Sequence, residues 1–265
     1  MAAVPALSPA EVGRWLGEAG AVTVLTGAGI STDSGIPDFR GPQGVWTRNP
    51  SAQAMFTLDR YLADPAVRRQ AWQSRLDHPV WQARPNAGHR ALVELERSGR
   101  LHAIVTQNID GLHQAAGSSD DRVIEIHGTV HWVKCMSCPS RTPMPEVLAR
   151  VEAGEPDPAC PGCGGIQKSA TISFGEALEP DVLAAATAAS RDCDLFLAVG
   201  TSLSVFPAAG LCDHALAAGA RLVVVNAEPT PYDHRAHAVL RDPIGELLPQ
   251  IVRSQRPPGR TSPVS

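Results

Sequence analysis

Four cysteines at Cys135-x2-Cys138-x21-Cys160-x2-Cys163 are spaced to do one kind of chemistry together. Two CxxC knuckles can bring four thiolates to the corners of a tetrahedron, the arrangement zinc prefers. Four thiolates also close the coordination shell, which leaves no position for water or substrate and makes such a metal structural. A second group, Thr26-Gly-Ala-Gly-Ile-Ser31, points to a phosphate-bearing nucleotide. Glycines there let the backbone turn sharply and approach a diphosphate, whose charge a following helix N-terminus favours. The sixth position is Thr32, so the full dinucleotide fingerprint is broken, and alone the loop reads equally well as a tight turn.

Further polar residues follow in short runs. Ser34-Gly-Ile-Pro-Asp-Phe39-Arg40 offers a ring that could stack and a guanidinium that could pair with phosphate, or an ordinary loop with Phe39 packed inward. Thr106-Gln107-Asn108-Ile109-Asp110-Gly111-Leu112-His113 suits hydrogen bonding to sugar hydroxyls or an amide, and equally a helix start capped by Asn108 or Asp110. Glu125-Ile-His127-Gly128 holds a histidine able to act as a general base, although lone histidines more often serve structure. On composition alone His113 and His131 compete with it. Phe174-Gly175-Glu176, Gly200-Thr201-Ser202-Leu203-Ser204 and Val223-Val-Val-Asn226 add hydroxyls, amides and a carboxylate, any of which could be turn chemistry.

The elements that must position these residues alternate. Ser8-Pro9-Ala10-Glu11 reads as a capping box for a helix ending near Gly20, followed by a strand over Ala21–Leu25. A helix near Ala87–Ser98 precedes a strand over Leu101–Thr106; helices near Pro180–Arg191 and Pro207–Ala218 precede strands over Leu195–Val199 and Leu222–Asn226. Helices alternating with short apolar strands predict an α/β fold with a doubly wound, Rossmann-like parallel sheet, whose ligands bind at the carboxyl edge. Two stretches break the rhythm: residues 41–85 read as a helical insertion carrying Trp46, Trp72 and Trp81, and residues 129–170 as a small cysteine-bearing lobe.

Composition sets the outer bounds. The 265 residues are 43% hydrophobic, enough for a full core, with net charge −4 and no basic excess of the kind a nucleic-acid surface shows. No apolar run approaches the roughly 20 residues needed to cross a bilayer, and the N-terminal residues lack a secretory pattern. Six cysteines, four in metal-type spacing, point to a reducing cytoplasm, with Cys193 and Cys212 as inert core residues. The Pro-, Arg- and Ser-rich end is expected to be disordered over 256–265.

Taken together and in this order, Gly27–Ser31, Gly35–Arg40, Thr106–Asp110, His127-Gly128, the four cysteines, Phe174–Glu176, Gly200–Ser202 and Asn226 resemble the sirtuin family of NAD-dependent protein lysine deacylases. The resemblance runs from about Ala21 to Val252. It implies one catalytic domain over 1–255: a large lobe of about 1–40, 86–128 and 171–255, the insertion, and a zinc lobe. It also implies NAD as co-substrate, one structural zinc on Cys135, Cys138, Cys160 and Cys163, and acyl-lysine proteins or peptides as partners. Ala28, Thr32, Phe39 and Arg40 would lie along NAD, while Gln107, Asn108, Ile109 and Asp110 line the nicotinamide and its ribose. Thr201, Ser202 and Asn226 would meet the adenosine half, with Ile244 closing over the adenine. Ile172, Phe174, Gly175, Glu176 and Val205 would flank an extended peptide. In the implied reaction the acyl-lysine oxygen attacks the ribose as nicotinamide leaves. His127, with Asn108, then promotes attack by a ribose hydroxyl, and O-acyl-ADP-ribose is released.

Two departures stand out. The family often has Arg-Pro-x-Val-Val before Phe-Gly-Glu, where this chain has Lys168-Ser-Ala-Thr-Ile172. The bacterial branch that removes acidic acyl groups carries Tyr-x-x-Arg, where this chain has Trp72-Gln-Ser-Arg75, keeping the arginine and losing the phenol. Deacetylation is the expected activity, and removal of succinyl or malonyl groups, with Trp72 and Arg75 beside the acyl chain, is the alternative that the retained arginine keeps open without indicating it. The other competing readings are a mono-ADP-ribosyltransferase on the same scaffold and a non-catalytic NAD-sensing or zinc-lobe protein that docks to nucleic acid, against which the acidic balance speaks.

Overall fold

The structure, a computed structural model, describes residues 7–38, 41, 44–48 and 57–255. Among these residues the strands are β1 (Val22–Thr26), β2 (Leu101–Thr106), β3 (Val123–Glu125), β4 (Gly128–Cys135), β5 (Arg141–Pro143), β6 (Gln167–Thr171), β7 (Leu195–Val199), β8 (Arg221–Val225) and β9 (Ala238–Leu240). The α-helices are α1 (Pro9–Glu18), α2 (Val45–Arg48), α3 (Leu58–Ala63), α4 (Pro65–Leu76), α5 (Ala87–Arg97), α6 (Leu112–Ala116), α7 (Met144–Glu152), α8 (Pro180–Arg191), α9 (Leu211–Ala217) and α10 (Ile244–Ser254).

Six strands form one parallel sheet in the order β3-β2-β1-β7-β8-β9. The chain winds outward from β1 to β3, returns to the other edge of β1 at β7, and winds outward again to β9. The order therefore reverses between β1 and β7, which opens the crevice where ligands of such sheets bind. β1 and β7 are buried at every position, as a sheet covered on both faces requires. Their alternation sorts the core: Val22, Val24, Leu195 and Leu197 pack with residues of α1, α5 and α10, while Leu25, Phe196 and Ala198 pack with residues of α8 and α9.

Local signals act as expected at most ends. Ser8 and Glu11 make a reciprocal capping box on α1, and Asn86 caps α5. The helix expected over Pro207–Ala218 is split into a 3₁₀ turn, Ala208–Gly210, and α9. Gly210 sits at the joint, where the low helix propensity of glycine does least to hold a continuous helix.

The second sheet, β5-β4-β6, is antiparallel. It shares a core with the helical insertion, because Trp72 and Val80 pack with Val130, Val133, Met144 and Val147. Polar ties reinforce the junction: Tyr61 Oη donates to the Gln167 carbonyl at 2.7 Å, and Arg68 pairs with Asp157 at 2.8 Å. Residues 256–265, expected to be disordered, lie outside the described residues. No helix among the described residues is long and apolar enough to cross a membrane.

Candidate active site and metal centre

The reversal point between β1 and β7 is built by glycines in backbone contact. Gly29 N donates to the Gly200 carbonyl at 2.9 Å, and a Cβ on Gly29 would stand 2.7 Å from Gly200 Cα. Gly200 has φ +63°, and a Cβ there would stand 2.5 Å from Ile30 N. The next segment is a 3₁₀ helix, Ala28–Ser34, carrying half-buried Ala28 and exposed Thr32.

The carboxyl end of β2 supplies the expected polar run, and tertiary packing joins it to this loop. Gln107 Nε2 donates to Thr201 Oγ1 at 2.9 Å, linking the ends of β2 and β7. Asn108 Nδ2 donates to the Gly27 carbonyl and to Ser31 Oγ, each at 3.1 Å. Ser31 Oγ in turn donates to Asp110 Oδ2 at 2.8 Å. The other oxygen of Asp110 accepts from Leu112 N at 3.0 Å, just before α6, whose N-cap is Gly111 rather than Asn108 or Asp110. Ser31 ends the glycine motif with nothing in the sequence to set it apart, and its full burial is what makes it a connector.

Beneath this group His113 is buried against β1. Thr26 Oγ1 donates to Thr106 Oγ1 at 2.9 Å and accepts from His113 Nε2 at 2.9 Å. Burial, with His89 adding to it, pushes the His113 imidazole down to about 3, so it stays neutral and structural. His131 Nε2 donates to the Asp110 carbonyl at 2.9 Å and supports the loop from the other side.

His127 follows β3. Its Nδ1 lies 3.0 Å from the Gln107 carbonyl. A carbonyl can only accept, so Nδ1 carries the proton and Nε2 keeps its lone pair. Burial lowers the His127 pKa below the usual imidazole value, against the pull of that carbonyl. Of the three competing histidines, it alone combines a fixed tautomer, half-burial and a basic nitrogen with no protein partner among the described residues.

The remaining expected contacts fall along the same crevice. Thr201 is buried, and Ser202 and Asn226 are half-buried at the ends of β7 and β8. Asn226 Nδ2 donates to the Glu228 carbonyl at 2.8 Å. Ile244 begins α10, close to Gly88, and the next residue, Gly245, adjoins Asp33 of the 3₁₀ helix. Leu203 holds a left-handed φ of +51° just before half-buried Val205; strain of about 1–3 kcal/mol is typical where a loop's shape is dictated by its surroundings. Phe39 and Arg40 lie outside the described residues.

On the opposite side, Ile172 N donates to the His127 carbonyl at 2.8 Å. Phe174 and Gly175 follow, both exposed. Glu176 points elsewhere: Oε1 meets Lys134 Nζ at 2.6 Å and Oε2 meets Lys168 Nζ at 3.0 Å. Burial raises the pKa of Glu176, but its bonds to Lys134, the Ser173 backbone and Lys168 outweigh this and hold it low. Trp72 is fully buried in the core shared by insertion and small lobe. Arg75 donates to Ser169 Oγ at 2.8 Å and to the Ala71 carbonyl at 2.9 Å, so its guanidinium is already engaged.

The four cysteines converge on one point. Their sulfur atoms all lie within 4.8 Å of one another, with Cys135–Cys163 at 3.5 Å and Cys138–Cys160 at 3.8 Å. Zinc–sulfur bonds of about 2.3 Å in a tetrahedron require sulfur separations of roughly 3.8 Å, so the quartet fits a closed thiolate site.

The model of the Sir2 family matches residues 27–207 of this chain. NAD-dependent protein deacetylase 2 of Streptomyces coelicolor is 55% identical over 232 residues, covering 88% of this chain and 96% of that protein. NAD-dependent protein deacetylase 1 of Bradyrhizobium diazoefficiens is 44% identical, covering 91% and 94%. Among solved structures, a Sir2 protein with deacetylated p53 peptide and 3'-O-acetyl ADP ribose superposes with TM-score 0.85 at 34% identity, covering 93% of this chain and 98% of that one. A Sir2 complex with p53 peptide and NAD+ superposes with TM-score 0.84, also at 34% identity and with the same coverage. The chain belongs to the Sir2 family.

Proposed function

We propose that this protein is an NAD-dependent protein lysine deacetylase carrying one structural zinc. The observation that carries the reading is His127: its proton is held on Nδ1 by Gln107, whose own side chain reaches Thr201 across the β1/β7 crevice. Relatives named as NAD-dependent protein deacetylases, similar over nearly their whole length, support it.

When bound, NAD supplies an electrophilic ribose carbon as its bond to nicotinamide breaks. The protein's residues do the rest. Gly27, Gly29 and Gly200 let two backbones close around the cofactor loop. Asn108, Ser31 and Asp110 form one hydrogen-bonded unit in the nicotinamide region, with Gln107, Ile109 and Ala28 beside it. Phe39 and Arg40 are assigned to the same cofactor on sequence grounds, as are Thr201, Ser202, Asn226 and Ile244 to its adenosine half. His127 takes a proton at Nε2 from a ribose hydroxyl. The acyl-lysine peptide lies between Ile172–Gly175 and Val205, and zinc on the four cysteines holds the small lobe without entering the chemistry. The protein's setting is a reducing one, the cytoplasm, in keeping with four unpaired thiols gathered at a metal site.

Mass spectrometry of an acetyl-lysine peptide incubated with NAD tests the reading. Free lysine, nicotinamide and O-acetyl-ADP-ribose in equal amounts are expected. ADP-ribosylated protein without O-acetyl-ADP-ribose would establish a transferase instead.

A further inference from the structure

Two lysines face each other across the small sheet. Lys134 of β4 is the register partner of Lys168 of β6, and like charges set directly opposite destabilise a sheet. Lys168 is 2% exposed, so its ammonium has little access to water. One carboxylate serves both: Glu176 bridges Lys134 and Lys168 through its two oxygens. Lys168 is also held by the Thr171 carbonyl.

Glu176 is not on the sheet. It closes the turn that leaves β6, accepting from Ser173 N at 2.9 Å while its own N donates to the Ser173 carbonyl at 3.0 Å. The apex of that turn is Phe174-Gly175, which projects outward, with Gly175 at φ +81° and open space around it. A second tie comes from the insertion, where Leu58 N donates to the Phe174 carbonyl at 2.9 Å. Just upstream, Ile172 N bonds the carbonyl of His127. The segment between the clamp and His127 is thus a short edge, half-buried at Ile172 and Ser173 and exposed at Phe174 and Gly175, fixed at both ends.

We infer that Lys134, Lys168 and Glu176 form an electrostatic clamp that sets the position of the peptide-binding edge Ile172–Gly175 relative to His127. This rests on the deacetylase reading and extends it by assigning positioning residues for the peptide rather than for NAD. None of the three need touch substrate. Glu176, expected from sequence to flank the peptide, instead holds the residues that do.

The test is binding of a fluorescein-labelled acetyl-lysine peptide followed by anisotropy, alongside KM for NAD and zinc content, in wild type, Glu176→Gln, Lys168→Met and Lys168→Arg. Glu176→Gln and Lys168→Met should raise the peptide Kd tenfold or more, with KM for NAD within twofold and one zinc retained. Lys168→Arg keeps the charge and should remain within threefold of wild type. A peptide Kd within threefold of wild type in Glu176→Gln, or KM for NAD rising in parallel, would overturn the clamp. If the buried variants do not fold, Lys134→Met keeps the Lys168–Glu176 pair and should still weaken peptide binding at least threefold; no change would likewise overturn it. Turnover by the wild type is scored separately: its absence would remove the deacetylase reading, whereas turnover with unmoved peptide affinity would remove the clamp alone.

Discussion

His127 leans on the main chain of Gln107, with Nδ1 3.0 Å from its carbonyl oxygen. That single contact orients the ring and selects the tautomer with a basic Nε2. Replacing His127 by Ala should leave NAD binding intact and lower deacetylation by about 10²–10⁴-fold, the usual worth of a general base. Because burial lowers its pKa, His127 stays unprotonated at neutral pH. The acid limb of kcat/KM should therefore lie below pH 6.5. Activity within threefold of wild type in His127→Ala would remove it from the mechanism.

Gly200 stands where no side chain fits: its φ is left-handed, and a Cβ would come within 2.5 Å of Ile30 N. Gly200→Ala must push apart the two backbones that form the cofactor loop. Calorimetric titration should show NAD affinity reduced at least tenfold, and an unchanged affinity would separate this contact from cofactor binding.

The cysteine quartet predicts one zinc per chain by elemental analysis of protein purified without chelator. Cys160→Ser should lose the metal and lower Tm, because the binding free energy of a structural site is also folding free energy. Full stability with no zinc would contradict the assignment.

Buried histidines make stability acid-sensitive. The unfolded chain takes up a proton on each near pH 6.5, whereas folded His113 resists to about 3, and burial also lowers His89. Between those limits the unfolded state binds more protons, so stability falls as pH drops below about 6.5 and is level above it, by about 1.4 kcal/mol per pH unit for each histidine. Urea midpoints from pH 7 to pH 4.5 check this, and His113→Asn should flatten the slope by about one proton.

Acetyl-lysine should exceed succinyl-lysine as substrate by tenfold or more in kcat/KM. A succinyl carboxylate entering an apolar site needs a charged partner, and the guanidinium of Arg75 is already committed to Ser169 and Ala71. With Trp72 fully buried, Trp72→Tyr should lower stability and leave the acyl ratio unmoved. A preference for succinyl would show that Arg75 leaves its partners when substrate binds.

Much of this protein was legible in order along the chain. Apolar runs such as Leu195–Val199 and the capping box at Ser8–Glu11 are local: period, propensity and caps act over a few residues, and β1, β2, β7 and β8 appear within a residue of where such signals put them, whereas the three-residue edge strands β3 and β9 are too short to announce themselves. The CxxC pairs pointed to a metal because ligand spacing is itself a geometric statement, and the fold brings the four sulfur atoms together. What required the tertiary structure was every relationship between distant segments. That Ser31 joins Asn108 to Asp110 depends on β1 lying beside β2. That Glu176 answers two lysines depends on the register pairing Lys134 with Lys168. Trp72 carries no mark of its burial in the sequence, because an indole suits an exposed surface as well as a core. Only the packing of the insertion against β4 and α7 buries it.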